Sequence, residues 1–121
     1  MVKLMFCVRR RQDVNEEEFH RYWREEHGPL VVTRASVLGI RRYVQAHTVP
    51  GPVTRALAAS RGTPEPFDGV AELWFDSVDA LMSSVATPDG AAAGEELLVD
   101  ERRFIDHARS PIFLAEEHAV L

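Results

Sequence analysis

Four short runs in which apolar and polar residues alternate constrain this fold more than any other feature. They lie at 2–9, 39–47, 69–75 and 112–120. Successive side chains of a strand point to opposite faces of a sheet, so each run predicts a strand. Segments of helical pattern separate the first run from the second and the third from the fourth. The predicted order of elements is therefore β-α-β-β-α-β.

The first helical segment has a clear start and a predicted interruption. Asn15 is placed to cap a helix, and Glu18, three residues later, can complete a capping box. The pair Gly28-Pro29 is predicted to interrupt this helix, because proline breaks the regular hydrogen-bonding pattern. A second helical stretch is then expected over 30–37.

The second helical region contains two starts, and a long loop precedes the third strand. Asp76 or Ser77 can cap one helix, and Thr87-Pro88 has the pattern of a cap followed by proline at the first helical position. Residues 48–69 carry four prolines and three glycines, which excludes a strand. We expect a Pro/Gly-rich loop over 48–68 that holds one short helix around 53–60. Loops of this length are usually functional or disordered.

The order of elements predicts an α+β fold of the ferredoxin-like type, an antiparallel sheet with helices on one face. The side facing the helices is expected to carry the apolar sets that begin with Leu4, Val44, Leu73 and Ile112. The opposite face would be mixed: Met5, Cys7, Tyr43, Gln45, His47, Glu72, Trp74 and Phe113. Ligand pockets have this composition, mostly apolar with a few polar groups.

Length and charge limit the possible partners. A chain of 121 residues fits a single domain, 1–121. The net charge of −5 argues against a nucleic-acid partner, because phosphate binding requires a basic surface. One cysteine excludes an intrachain disulfide, and no apolar stretch approaches the ~18 residues that span a bilayer. With no recognisable signal peptide, the expected location is cytoplasmic, without membrane contact.

Four segments carry a family resemblance that covers nearly the whole chain. They are FHRYWREEHGPL, LGIRRYVQAH, FDGVAELWFDS and RFIDHARSP. Together they resemble the EthD family of dimeric α+β-barrel proteins, and the first segment is the most specific. The resemblance implies a homodimer in which two four-stranded sheets face each other and close a barrel. The partner sheet and an enclosed cavity would then cover the mixed face.

The resemblance implies several functions, because related barrels include polyketide cyclases, dehydratases, lactone isomerases and cofactor-free oxygenases. The leading hypothesis is a homodimer that binds a small hydrophobic, aromatic or polyketide-like molecule between the sheet and the first helix. Any catalysis would be cofactor-independent cyclisation, dehydration or isomerisation. The alternatives are a non-catalytic accessory protein of a monooxygenase system, and a haem- or oxygen-using monooxygenase on the same barrel.

His27 and Tyr43 are the candidate catalytic residues. His27 borders the buried stripe of the first helix, and a histidine there can exchange protons near neutral pH. The alternative is a histidine that donates to free carbonyls at a helix end. The resemblance favours function, since a helix-one histidine meets the ligand in the lactone isomerases. Tyr43 is expected to project from the second strand into the barrel, where its phenol can orient a carbonyl or relay a proton.

Seven further residues are candidate ligand contacts. They are Cys7, His20, Trp23, Gln45, His47, Glu72 and Trp74. Glu72 has two open interpretations, an acid or base facing the cavity or an ion-pair partner of Arg41 or Arg42 across the dimer. Cys7 fits a small buried filler better than a nucleophile. No metal-ligand spacing and no glycine-rich phosphate loop is present, so no metal or cofactor is expected.

Overall fold

Four strands form one sheet in which all neighbours are antiparallel, in the order β2-β3-β1-β4. The computed structural model describes all 121 residues. The strands are β1 Val2–Val8, β2 Arg42–His47, β3 Gly69–Phe75 and β4 Ile112–Glu116. This is the predicted ferredoxin-like α+β arrangement.

Five α-helices pack with the sheet or connect its strands. They are α1 Glu16–Tyr22, α2 Gly28–Leu38, α3 Pro52–Arg61, α4 Val78–Ala86 and α5 Pro88–Glu101. A π-helical turn, Trp23–His27, joins α1 to α2, and a short 3-10 turn, His107–Arg109, precedes β4. The helix α3 lies inside the predicted 48–68 loop, close to its expected position. None of the helices has both the length and the apolar character needed to cross a membrane.

The predicted helix starts are confirmed at three caps, but the capping box is wrong. The side-chain oxygens of Asn15, Ser77 and Thr87 each accept a hydrogen bond from a backbone N–H in the first turn of their helices. The Glu18 carboxylate does not return to the backbone of Asn15. It accepts two hydrogen bonds from the Arg21 guanidinium, at 2.8 and 2.7 Å, because arginine offers a bidentate, charge-assisted partner.

The predicted interruption at Gly28-Pro29 is wrong. The pair does not break the helix but changes its pitch. Pro29 has no N–H to donate, and its ring crowds the carbonyl four residues earlier. The chain therefore closes a wider turn, in which the Gly28 N–H donates to the Trp23 carbonyl five residues before it. The helix continues to Leu38 and ends at Gly39, whose φ of 72° is the left-handed conformation that glycine adopts readily.

The sheet register corrects the predicted orientation of β2. Leu73 of β3 pairs with Leu4 of β1 on one side and with Tyr43 of β2 on the other. Directly paired residues project to the same face, so Tyr43, and with it Gln45 and His47, lies on the helix side. Val44 lies on the opposite face. The predicted faces of β1, β3 and β4 are confirmed, while that of β2 is wrong by one residue.

The core lies between the sheet and the helices and is dominated by aromatic rings. Its members are Phe6, Val8, Phe19, Trp23, Ala71, Phe104 and Ile105. A second cluster, Val31, Leu38, Ala93 and Leu97, joins α2 to α5. The backbone of Gly69 lies against the Trp23 ring, where an added Cβ would approach Cζ3 to 2.5 Å. A glycine is therefore required at this point of β3.

Candidate functional site

An apolar cavity of about 180 Å³ lies on the helix side of the sheet, between the sheet and the helices. Fifteen of its 18 lining residues are hydrophobic. Both core clusters contribute to its walls. Three of the lining side chains can do acid–base chemistry: His27, Tyr43 and Glu101. A small, mostly apolar cavity with a few polar groups is the usual composition of a ligand site.

The ring of His27 is held by a partly buried carboxylate. Its Nδ1 lies 2.7 Å from Oδ2 of Asp100, and the residue His27 is 5% exposed. The other Asp100 oxygen accepts a hydrogen bond from the Tyr22 hydroxyl at 2.5 Å. An ionised carboxylate only accepts hydrogen bonds, so Nδ1 of His27 carries the proton. The lone pair of a neutral ring is then on Nε2.

Nε2 of His27 has no hydrogen-bond partner in the protein. Every fully buried side-chain nitrogen and oxygen in the structure has a hydrogen-bond partner. Because Nε2 of His27 has none, it is not fully buried and keeps some accessible surface. His27 is also one of the residues that line the cavity. The Asp-His arrangement orients the ring and stabilises the imidazolium that forms when Nε2 takes a proton. The helix-end interpretation of His27 is wrong, because its ring bonds Asp100 of α5 instead of a helix carbonyl.

Tyr43 lines the same cavity. Burial raises the pKa of this phenol to about 12, so it is protonated at neutral pH. Its oxygen accepts a hydrogen bond from Nε2 of Gln45 at 2.7 Å, and the same amide group donates to the Trp23 carbonyl at 2.8 Å. Since its oxygen is already an acceptor, Tyr43 keeps its own proton for a hydrogen bond to a ligand.

Four more of the predicted contacts lie on the helix side of the sheet with Tyr43. Trp23 lines the cavity. His47 places Nε2 2.8 Å from Oε1 of Gln45, and its Nδ1 lies 2.6 Å from Nδ1 of His20. His20 borders a separate polar cleft between the start of α1 and the 48–68 segment. The structure therefore brings Trp23, Gln45, His47 and His20 together, in a row that leads away from the cavity.

Glu72 and Trp74 lie on the opposite face of the sheet, away from the cavity. Glu72 forms an ion pair with Lys3 of the same chain at 2.7 Å. The ammonium of Lys3 and the guanidinium of Arg42 both lie over the Trp74 ring, 5.0 and 4.6 Å from its centroid. The prediction that these side chains share a face with Tyr43 is wrong, because β2 presents its other side.

Cys7 also lies on this opposite face, in register with Val70 of β3. The thiol is half-buried, and burial raises its pKa, which disfavours the reactive thiolate. This environment fits the expected role of a small filler.

Asp100, Tyr22 and Glu101 are the site residues that the sequence interpretation missed. Asp100 follows Leu97 by three residues and precedes Phe104 by four, so it lies on the apolar stripe of α5. An acidic residue at such a position signals a buried, paired carboxylate. Glu101 lines the cavity and lies 3.0 Å from Nε2 of His107.

Both tyrosines of the chain are expected to resist ionisation in the folded protein. Burial raises the pKa of Tyr22 and of Tyr43 to about 12 each, from an ordinary value of 10.0. Tyrosinate absorbance should therefore remain low at pH values where the denatured chain has already ionised. Because the raised pKa values belong to the folded state, stability should fall as the pH rises from 10 toward 12. Tyrosinate absorbance near pH 10 in the folded protein would contradict this environment.

No group of three or more His, Cys, Asp or Glu side chains is arranged to hold a metal ion. The acid–base side chains that line the cavity are the imidazole of His27, the phenol of Tyr43 and the carboxyl group of Glu101. Their chemistry is the transfer of protons and the stabilisation of an oxyanion.

Solved structures of similar fold cover nearly the whole chain. An ethyl tert-butyl ether D (EthD) family protein from Bacillus halodurans has 22% identity and a TM-score of 0.63, over 98% of this chain and 99% of that one. A dimeric protein of unknown function with a ferredoxin-like fold, from Bacteroides fragilis, has 16% identity and a TM-score of 0.59, over 96% and 95%.

The third similar structure is SnoaB, a cofactor-independent oxygenase from Streptomyces nogalater. It has 14% identity and a TM-score of 0.55, over 99% of this chain and 95% of that one. No protein of curated function matches the chain. The model of the EthD domain matches residues 11–108, a range that contains α1 to α5 and two of the four strands, β2 and β3. The chain belongs to the EthD family.

Proposed function

We propose that this protein binds a small aromatic or polyketide-like molecule in the apolar cavity and catalyses a cofactor-independent proton transfer on it. The observation that carries the proposal is the free Nε2 of His27, on a ring held by Asp100, in a cavity that Tyr43 also lines. In polyketide-like molecules, which carry carbonyl groups, removal of a proton next to a carbonyl is a common first step of cyclisation, dehydration and isomerisation.

The residues have distinct roles in that step. Nε2 of His27 takes a proton from the carbon next to the substrate carbonyl, and the C–H electron pair forms the enolate. Asp100 stabilises the resulting imidazolium through Nδ1. Tyr43 donates its hydrogen bond to the enolate oxygen, where negative charge develops. His27 then returns the proton to another atom of the substrate, or to the leaving hydroxyl in a dehydration.

The test uses 2-tetralone, a bicyclic ketone with acidic protons next to its carbonyl, as the probe. In D₂O the wild-type protein is expected to accelerate exchange of these protons for deuterium, followed by the loss of their NMR signals. Saturation with increasing probe would show that exchange occurs in a bound complex. Failure to accelerate exchange of this ketone, and of smaller aromatic ketones, would contradict proton-transfer chemistry.

A second candidate is cofactor-independent oxygenation, which the fold shared with SnoaB favours. The first step is the same, since His27 would deprotonate a phenol and the electron-rich phenolate would react with O₂. Oxygen consumption in the presence of a dihydroxynaphthalene distinguishes the two. Consumption that stops in His27→Asn supports oxygenation, and exchange without consumption supports the leading proposal.

We further propose that the protein is a homodimer that pairs through the face of the sheet opposite the helices. This face carries Met5, Val44, Trp74 and Phe113, and Phe113 is 50% exposed. Exposed apolar side chains on a sheet face, flanked here by the charged Lys3, Glu72 and Arg42, usually mark an interface. The similar protein from Bacteroides fragilis is dimeric.

Phe113→Lys is expected to shift the dimer toward monomer, because a charge would be buried in the interface. Light scattering of the wild type should report about twice the chain mass of 13.6 kDa. Val53→Lys is the matched control, since Val53 is 73% exposed on α3 and away from this face. A wild-type protein that is monomeric at micromolar concentration would contradict the dimer.

A further inference from the structure

We propose that His20 and His47, which lie outside the cavity, act as positioning residues that orient the Tyr43 hydroxyl through Gln45. The inference deepens the proposed function and rests on it. Three hydrogen bonds in series carry it: His20 to His47, His47 to Gln45, and Gln45 to Tyr43.

The direction of each bond follows from one fixed point, the backbone carbonyl of Trp23. A carbonyl only accepts, so the atom of Gln45 that lies 2.8 Å from it must be the amide nitrogen. The same nitrogen donates to Tyr43, and the amide oxygen of Gln45 faces His47. The orientation of Gln45 is therefore set by the main chain of the π-helical turn.

The amide oxygen of Gln45 in turn fixes the protonation of both histidines. It accepts at 2.8 Å from Nε2 of His47, so that nitrogen carries a proton. In the neutral ring Nδ1 of His47 is then an acceptor. The Nδ1 of His20, 2.6 Å away, must be the donor. One consistent set of protons runs from His20 to Tyr43.

The surroundings of the pair favour this state. Burial lowers the pKa of His47, and electrostatic repulsion from the neighbouring His20 and Arg24 side chains lowers it further. This direction favours the neutral ring that the acceptor role of His47 requires. Its ring also packs on Trp23, with ring centroids 4.4 Å apart, which limits rotation of the imidazole.

The space beside Gln45 is kept by a glycine of the same turn. A Cβ added to Gly28 would approach Nε2 of Gln45 to 3.2 Å, closer than most contacts of this kind. The Gly28-Pro29 pair thus serves the site in two ways. It contributes to the π-helical turn that carries His27, and it leaves room for the amide that bonds Tyr43.

These hydrogen bonds restrict the direction in which the Tyr43 O–H can point. Its oxygen receives the Gln45 N–H, so its own O–H is directed to another acceptor, and the residue lines the cavity. A hydroxyl that is oriented before the ligand arrives needs no reorganisation as the enolate charge forms. The amide of a glutamine does not readily transfer protons. The series of hydrogen bonds therefore orients the phenol of Tyr43 and does not conduct protons to it.

Long-range ¹H–¹⁵N NMR of the histidine rings reads these tautomers directly. We expect His47 to carry its proton on Nε2 and His20 to carry one on Nδ1, with signals assigned from single His→Asn variants of the five histidines. A proton on Nδ1 of neutral His47 would contradict the proposed series of hydrogen bonds. This readout does not depend on turnover, so it decides the inference even if 2-tetralone is not a substrate and the proposed function fails.

The kinetic test compares two substitutions of His20 in the 2-tetralone exchange assay. Asparagine can place an N–H near the position of Nδ1, whereas leucine cannot. His20→Leu is expected to lower kcat by about two- to tenfold, the rate equivalent of one net hydrogen bond, while His20→Asn stays near the wild type. His118→Asn, near the chain end and outside the site, controls for loss of a histidine.

A double substitution separates positioning from a structural role. If His20 acts through Tyr43, His20→Leu should have no further effect on kcat in the Tyr43→Phe protein. The same fold-loss in both backgrounds would show that His20 acts elsewhere and would overturn the inference. Equal losses from His20→Leu and His20→Asn would do so too.

Discussion

His27→Asn is expected to lower the rate of 2-tetralone exchange by ~10²–10⁴-fold, the usual loss when a general acid or base is removed. Asparagine can place a donor near Nδ1 and so keep the hydrogen bond to Asp100, but it has no atom at the position of Nε2. The base is therefore removed while the buried carboxylate keeps a partner. We expect the melting temperature to change little.

Two further variants make this result specific. His118→Asn should retain the wild-type rate. Asp100→Asn should lower the rate through the ring of His27, and combining it with His27→Asn should cost much less than the product of the two losses. Exchange that persists at the wild-type rate in folded His27→Asn would contradict the assignment of this residue as the base.

Trp23→Ala is expected to destabilise the fold by about 3–5 kcal/mol, the range for truncating a large buried aromatic side chain. Its ring is 1% exposed, packs on Phe19 and lies against Gly69, so nothing nearby can fill the space without moving the sheet. Urea denaturation measures the loss. Leu57→Ala, at a side chain that is 63% exposed, should change stability by less than about 0.5 kcal/mol. Similar losses for the two variants would contradict the packing of Trp23.

The order of elements was predictable because it depends on local signals. Alternation marks a strand whatever its partners are, and the caps at Asn15, Ser77 and Thr87 act within one helical turn. That order already predicts the ferredoxin-like fold, and the EthD resemblance added the family. These predictions are confirmed by the sheet order and by the match to the family model.

The orientation of β2 was not predictable from its own sequence. Val44 and Ala46 are the most apolar residues of the strand, so they were assigned to the side that faces the helices. The structure instead buries Tyr43 there, with its hydroxyl bonded to Gln45. Both faces of this strand combine apolar and polar atoms, and alternation alone leaves its register undetermined by one residue.

The hydrogen-bond partner of His27 could not be predicted from local sequence, because the pair depends on a contact between distant segments. Asp100 lies 73 residues away along the chain, and only the packing of α5 against the π-helical turn brings it to Nδ1. The local signal was a carboxyl on an apolar stripe, which indicates a buried pair without saying what the partner is. The π-helical turn has no local signal of its own, because proline in a helical pattern is also typical of the end of a helix.

The two tryptophans of the chain report the position of the ligand from opposite sides of the sheet. Trp23 lines the cavity on the helix side, and Trp74 lies on the other face. Each indole N–H gives one ¹H–¹⁵N signal, and Trp23→Phe and Trp74→Phe assign the pair. The measurement is a titration with 1,3-dihydroxynaphthalene, whose rings shift the signals of nearby nuclei.

We predict that the Trp23 indole signal moves and saturates as this compound binds, while the Trp74 signal stays in place. Filling the cavity with a larger side chain, in Gly94→Leu, should remove the Trp23 shift, because Gly94 lines the cavity and a Cβ there would meet no atom within 4 Å. A saturable shift of Trp74 with no change at Trp23 would contradict the account, since the ligand would then lie on the face opposite the helices, away from His27 and Tyr43.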